Sequence, residues 1–571
     1  MKFFLKLYKS SGFWPILIVV VAGILASRTL LFQKGYFNMH DDLQMMRQLE
    51  MEKCFLDGQI PCRWVPDMGY GFGFPLFNYY PPLPYLIGEI FRIVGFSFIN
   101  TVKITFAFSF IVSGITMYLL VKEFFGKLGG ILASVFYIWA PYHAVDVYVR
   151  GAMNEAWALA WFPLILYLGY KLITEKKEII KWVLGLSLAW FALFTSHNLM
   201  VLIFTPVFSI WCVVHIWKNS GWKRIPALVV SGIFSFGLSA FFTLPVILET
   251  KLVQANSLVE GYYEYIAHFA DINQLLFSRF WGYGPSVWME MDKMSFQVGH
   301  LHWILSLVIL ALVLINRKSY ILILFFIAVG WFSAFMAHSR STFIWQAIPF
   351  LKYVQFPWRF LTIAIFSFSF VIGSLPQFIF DKQIQKRVTA ILITALLLLN
   401  WKYFLPEGGK LGSLTDKQKF SAAAWELQQT AGIYDYLPKF AKEAPKAPRK
   451  DLVEILDGEA IISGDVYGTN WAKFRAGVNS ETSLLRIGIF KFPEWKVFID
   501  GELAEPFVPQ EEVWGRMHIV LNNGEHEVML RLYNTWPRKV GNIISLVSWA
   551  GLIFLLVSYK KWPVFLEKIF G

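Results

Sequence analysis

Two adjacent carboxylates, Asp41 and Asp42, follow His40 shortly after the first apolar run of the chain. A carboxylate near the start of a helix is kept ionised by the helix dipole. Such a group can accept a hydrogen bond from an attacking hydroxyl and help to deprotonate it. Adjacent residues on a helix do not face the same way, so one of the two is expected to enter a site. The alternative is that both acids cap a helix and face water. His40 could join them on a divalent cation, although contiguous residues rarely converge on one ion. The arginines form a second set: Arg63, Arg150, Arg279, Arg340 and Arg359 all lie in loops or at the edges of apolar runs. Guanidinium forks suit phosphate groups, and a lipid phosphate would sit at that depth. Arg150 and Glu155, in RGAMNE, either pair with each other or hold a substrate. His197, in FTSHNLM, separates two apolar runs and either satisfies a tight turn or lines a cavity.

The elements that must position these groups are membrane helices. The chain has 571 residues, 56% of them hydrophobic and only 16% charged. Its apolar runs of roughly 18 to 24 residues match the ~30 Å hydrocarbon layer. Twelve spans are expected: 13–32, 101–121, 128–147, 155–173, 179–196, 199–217, 225–248, 301–316, 319–337, 358–380, 388–405 and 541–558. The formal charge of +13 sits mostly in short loops between spans, which is the positive-inside pattern and not a nucleic-acid footprint. Lys122–Lys127, Lys171–Lys181, Lys218–Arg224, Arg317–Lys318 and Asp381–Arg387 become cytoplasmic, as do the N-terminus MKFFLKLYKS and the tail after Tyr559. This alternation holds only if Leu83–Phe98, short and interrupted by Glu89 and Arg92, does not cross.

The first loop, 33–82, is therefore expected outside the cytoplasm. Apolar residues from Leu43 to Leu56 recur at helical spacing, with Asn38 or Asp41 as a cap and Gly58 and Pro61 as a stop. The pattern predicts a helix on the membrane surface. Cys54 and Cys62 bracket FLDGQIP and form either a disulfide or two free thiols; Cys212, inside an apolar run, is a core residue. The trailing segment 406–540 changes character. Residues 413–450 predict a helix and a linker, and from Val453 the runs AIISGDVYG, SLLRIGIF, WKVFIDGE and HIVLNNGEHEVMLRLY predict a small antiparallel β-domain with Asn-Gly and Asp-Gly turns. Three regions result: 1–405 transmembrane, 406–540 extracytoplasmic, and 541–571 a last span with its tail.

The acidic first loop, its surface helix and the closing Tyr80-Pro81-Pro82-Leu83 resemble the GT-C superfamily of membrane glycosyltransferases. More closely, the chain is similar to bacterial membrane proteins labelled 6-pyruvoyl-tetrahydropterin synthase-related, and to the YfhO-like group. The strings that carry this are GQIPCRW, GYGFGFPLFNYYPPLPY, APYHAVDVYVRGAMNEAWA, TSHNLM, FWGYG, SFQVGH, QFPWRFL, FPEWKVFIDGE and TWPRKVGNIISL. No zinc-ligand spacing accompanies them, so pterin chemistry is not expected. The GT-C resemblance implies a multi-pass plasma-membrane enzyme of bacterial type. It would move a sugar from a polyprenyl-phosphate donor to a glycan, lipid or protein acceptor on the outer face, with inversion. Asp41 or Asp42 would be the base. Arg63, Arg150 and Arg359 would hold the donor phosphate, and Glu155 and His197 would orient sugar or acceptor. A transporter or flippase of lipid-linked glycans, or an envelope assembly protein, is the alternative.

Overall fold

The computed structural model describes residues 12–288, 291–316 and 320–561. The basic N-terminal stretch, the Arg317–Lys318 loop and the tail 562–571 lie outside the described residues. Among those described, eight helices are long and apolar enough to cross a membrane, and three shorter apolar helices accompany them, Phe13–Ala26, His300–Asn316 and Ile321–Met336. The longest stretch, Phe98–Ile138, is not one rod. At Gly126 the backbone turns to φ 71°, a conformation L side chains rarely adopt, and the chain doubles back. A side chain at Gly114 would accordingly run into Ile138, 24 positions further along. The spans expected at 101–121 and 128–147 thus form a hairpin, but the second ends at Ile138. The polypeptide then makes a short helix, Pro141–Ala144, and a π turn, Val145–Val149. The run expected as one span over 13–32 is broken at Ser27 into Phe13–Ala26 and Arg28–Phe32.

The basic loops gather at one end of the bundle. Lys171 bridges Glu123 at 2.8 Å, Arg224 donates to the Glu175 carbonyl at 3.1 Å and Gln377 to that of Phe124 at 2.9 Å. Residues 141–155, 197–199 and 357–361 lie at the opposite ends of the same helices.

The first loop is folded into that opposite end. Its helix, Gln44–Leu56, begins after Leu43 without a side-chain cap, so neither Asn38 nor Asp41 caps it. Nor does it lie free on a surface. Met45, Met46, Arg47, Gln48, Glu50 and Met51 are all buried, because Leu83–Ile93 packs along it through the Gln48–Glu89 hydrogen bond and the Arg92–Glu52 ion pair at 2.6 Å. Leu83–Ile93 has 11 residues, about 16 Å of helix and half a bilayer's hydrocarbon. Cys54 and Cys62 are joined, which closes the turn after the helix. Replacing both by Ser should cost about 2–3 kcal/mol of stability, as expected for releasing so short a loop. Thermal unfolding in detergent with and without reductant checks this.

The trailing segment forms a six-stranded antiparallel sheet, β1 (Val453–Asp457), β2 (Ala460–Tyr467), β3 (Trp471–Phe490), β4 (Trp495–Ile499), β5 (Glu502–Ala504) and β6 (Arg516–Leu532). The order is β1-β3-β6-β4-β5, and β2 pairs with the first half of β3. Asp457-Gly458 and Asp500-Gly501 are turns, as expected. Asn523-Gly524 is not: it lies inside β6, where the register with β3 shifts between Val478 and Thr482. Such a bulge absorbs extra residues without ending the strand. Trp64, Phe72 and Tyr79 of the first loop share the sheet's apolar core with Phe490, Phe492 and Trp495. The presumed linker is likewise packed down. Asp416 accepts from the Phe98 and Ile99 amides at 2.8 and 3.1 Å, and Lys419 pairs with Asp42.

Candidate functional site

A cavity of about 420 Å³ opens where the first loop, the helix ends and the trailing segment meet. One wall is built by a short backbone pairing. The His40 amide donates to the Val149 carbonyl at 3.0 Å and the Asp41 amide to that of Arg150 at 2.9 Å. Gly151 permits this approach with φ +63°, and any side chain there would collide with Met39. The Gln44 side chain donates from Nε2 to the Gly151 carbonyl at 2.8 Å. Asp41 is thereby fixed relative to Arg150.

The acidic part of the cavity centres on Arg47. Asp41 Oδ2 accepts from Arg47 at 2.6 Å, from Gln44 at 3.0 Å and from the Tyr80 hydroxyl at 3.5 Å. Asp42 does not line the cavity: it turns to Lys419, while its carbonyl accepts from Gln428 at 2.8 Å. Of the two adjacent acids one enters the site; both precede the helix, and the pairing of Asp41 with Arg150 sets which. Asp435 and Tyr436, from the trailing segment, complete this side. Neither is expected from the sequence, because the apolar run around them, Ile433 to Leu437, is too short to show a period.

The basic part is a buried ion cluster. Arg150 pairs with Asp146 and, at 2.8 Å, with Glu155 Oε2. Arg359 Nε approaches the same oxygen at 3.4 Å and His197 Nε2 at 4.0 Å, and the Tyr142 hydroxyl donates to Oε1 at 2.9 Å. Arg359 also donates to the Val354 carbonyl and the Gln355 side chain, and Arg150 lies over the Trp358 ring. Burial, and then the neighbouring Glu155, push the Asp146 carboxyl well above the usual carboxylate range. Glu155 is the carboxylate that both guanidiniums share, and Arg150 and Arg359 both line the cavity. Burial and the adjacent Arg359 push the His197 imidazole down to about 3, so it stays neutral and can accept or donate one hydrogen bond. Phe356 and Trp358 stack at 4.6 Å, and Tyr79 and Tyr436 at 5.4 Å, giving the cavity flat apolar faces.

Of the residues expected at a site, the structure brings His40, Asp41, Arg150, Glu155, His197 and Arg359 into one cavity. Arg63 is held elsewhere, by Asn78 at 3.2 Å, the Phe241 carbonyl at 2.9 Å and Asn542 at 2.7 Å. His40 contacts the Tyr283 carbonyl at 2.9 Å, and no group of three or more His, Cys, Asp or Glu side chains is placed to hold a metal among the described residues.

No family model matches the chain. The YfhO-like and pterin-synthase-related labels therefore gain no support. A stretch of 258 residues is 23% identical to an uncharacterized protein of Lactococcus lactis subsp. cremoris (strain MG1363), covering 43% of this chain and 41% of that protein's length. Among solved structures, the chain is similar to the Archaeoglobus fulgidus oligosaccharyltransferase tethered to an acceptor peptide (TM-score 0.39, 13% identity, 77% of this chain and 61% of that one). It is also similar to the same organism's oligosaccharyltransferase AglB with an inhibitory peptide and a dolichol-phosphate (TM-score 0.28, 12% identity, again 77% and 61%).

Proposed function

We propose that the chain is a GT-C-type membrane glycosyltransferase that moves a sugar from a polyprenyl-phosphate donor to a hydroxyl acceptor on the outer face of the membrane. One observation carries this reading: a single cavity at the bundle end is lined by both an arginine pair and an accessible carboxylate. Arg150 and Arg359 bind the donor phosphate and stabilise it as it leaves, since preorganised cations act most strongly where charge develops. His197 and the stacked aromatic faces hold the sugar. Asp41, held by Arg47, accepts a hydrogen bond from the acceptor hydroxyl and aims its oxygen at the anomeric carbon, opposite the leaving phosphate. Displacement from that side inverts the centre.

The test uses the purified full chain in nanodiscs. Wild type should bind a polyprenyl phosphate and transfer label from polyprenyl-phosphate sugars to envelope extracts. Arg150→Gln and Arg359→Gln should each weaken lipid binding about 30-fold or more, the scale of losing a buried charged contact. Failure of wild type to bind the lipid, or arginine variants that bind it as tightly, would sink the reading.

A further inference from the structure

Two carboxylates line the acidic part of the cavity, and their surroundings differ. Asp41 Oδ2 carries three donors, Arg47, Gln44 and Tyr80. Such a set occupies the lone pairs of that oxygen and commits it to holding its neighbours. Asp435 has the Tyr263 hydroxyl at 3.5 Å and no direct cation. The charged and titratable groups that face it are Arg47 and Asp41 from the first loop, Tyr263 from the loop after helix Ile225–Leu248, and its chain neighbour Tyr436. Asp435 is only half-buried, so its carboxylate remains reachable from the cavity that it lines.

From this juxtaposition we propose that Asp435 is the catalytic base: it takes the proton of the acceptor hydroxyl, while Asp41 and Arg47 orient that hydroxyl. The proposal rests on the glycosyltransferase reading and assigns the proton within it. In the step, the acceptor oxygen forms its bond to the anomeric carbon. The bond from that carbon to the phosphate oxygen breaks, and its electron pair stays on the phosphate between Arg150 and Arg359. The hydroxyl proton passes to the Asp435 carboxylate and then to water. Division of labour is what the two environments favour. Burial, opposed by Arg47 and reinforced by Asp41, raises the Asp435 carboxyl to about 6. A base works best when its pKa lies near the working pH. Asp435 is ionised above that value and still basic, and its hydrogen-bond partner is the Tyr263 hydroxyl, whereas three donors already occupy Asp41 Oδ2.

The experiment is the pH profile of transfer by the full chain in nanodiscs, with polyprenyl-phosphate binding measured alongside. In wild type the rate should fall about tenfold per pH unit below ~6, as the base protonates. Asp435→Asn should lower the rate about 100-fold or more and remove that acid limb, leaving lipid binding unchanged. Asp435→Glu should keep activity and move the limb. An Asp435→Asn protein with the wild-type rate, or with its acid limb intact, overturns the proposal and leaves the glycosyltransferase reading standing. If Asp435→Asn loses lipid binding as well, its fold has failed and Asp435→Glu decides: an unmoved limb overturns the proposal. Wild type that binds lipid but transfers no sugar overturns both readings together.

Discussion

Glu155→Ala should destabilise the protein by about 3–5 kcal/mol, the usual result of removing one partner from a buried ion pair. Glu155 is fully buried at the start of helix Met153–Thr174 and is the shared partner of Arg150, Arg359 and His197. Truncation leaves two guanidiniums facing each other in a buried site, with Asp146 the remaining acid in contact with Arg150. Glu155→Gln retains a carbonyl oxygen for both arginines and should cost less, on the order of 1–2 kcal/mol. Thermal unfolding in detergent or nanodiscs reads both values. A second signature follows from the site's charge: a polyprenyl phosphate should restore part of the stability lost in Glu155→Ala, because its anion can take the place of the carboxylate. A variant as stable as wild type, or one unmoved by the lipid, would show that Glu155 does not hold the arginines together.

Asp41→Asn should reduce transfer by about 100-fold while binding of the polyprenyl phosphate stays as in wild type, the scale seen when one preorganised polar group is lost. The asparagine oxygen can still meet Arg47, so the fold of the first loop is kept. What is lost is the full negative charge that fixes the acceptor hydroxyl. The loss should appear in the rate at saturating donor and not in the donor's apparent affinity. Asp42→Asn is the matched control, because its side chain serves the Lys419 contact and lies off the cavity. Equal rates in wild type and Asp41→Asn would remove Asp41 from the reaction. A rate loss in Asp42→Asn as large as that in Asp41→Asn would place the effect in loop folding.

Much of the site was legible because polar residues are conspicuous among apolar ones. Arg150, Glu155, His197 and Arg359 each stand at the end of a hydrophobic run, and helix ends at one level of a bundle converge. The hairpin at Gly126 was announced by its basic flanks, Lys122 and Lys127. The choice between Asp41 and Asp42 was not legible, since it depends on the backbone pairing with Val149 and Arg150, far away in the chain. Arg63 looked like its fellow arginines, but its partners come from Phe241 and Asn542. Asp435 sits in the short run Ile433-Tyr434-Asp435-Tyr436-Leu437, too brief to mark an element among the polar residues around it. In the sheet, local turn chemistry misled. Asn523-Gly524 has the composition of a hairpin turn, but pairing along β3 carries β6 straight through it. The first half of β3, with Lys473, Arg475 and Asn479, showed less apolar bias than its second half.

The cavity draws its lining from His40 near one end of the polypeptide to Asp435 and Tyr436 far along it. Synthesis runs from the N-terminus, so Asp41 and the arginine cluster can be in the bilayer while Asp435 and Tyr436 are still on the ribosome. A nascent chain at that stage could hold a lipid phosphate but would lack the group proposed to take the proton. On the glycosyltransferase reading, competence to react arrives late in translation, and a polypeptide cut short before Asp435 would bind lipid without transferring sugar.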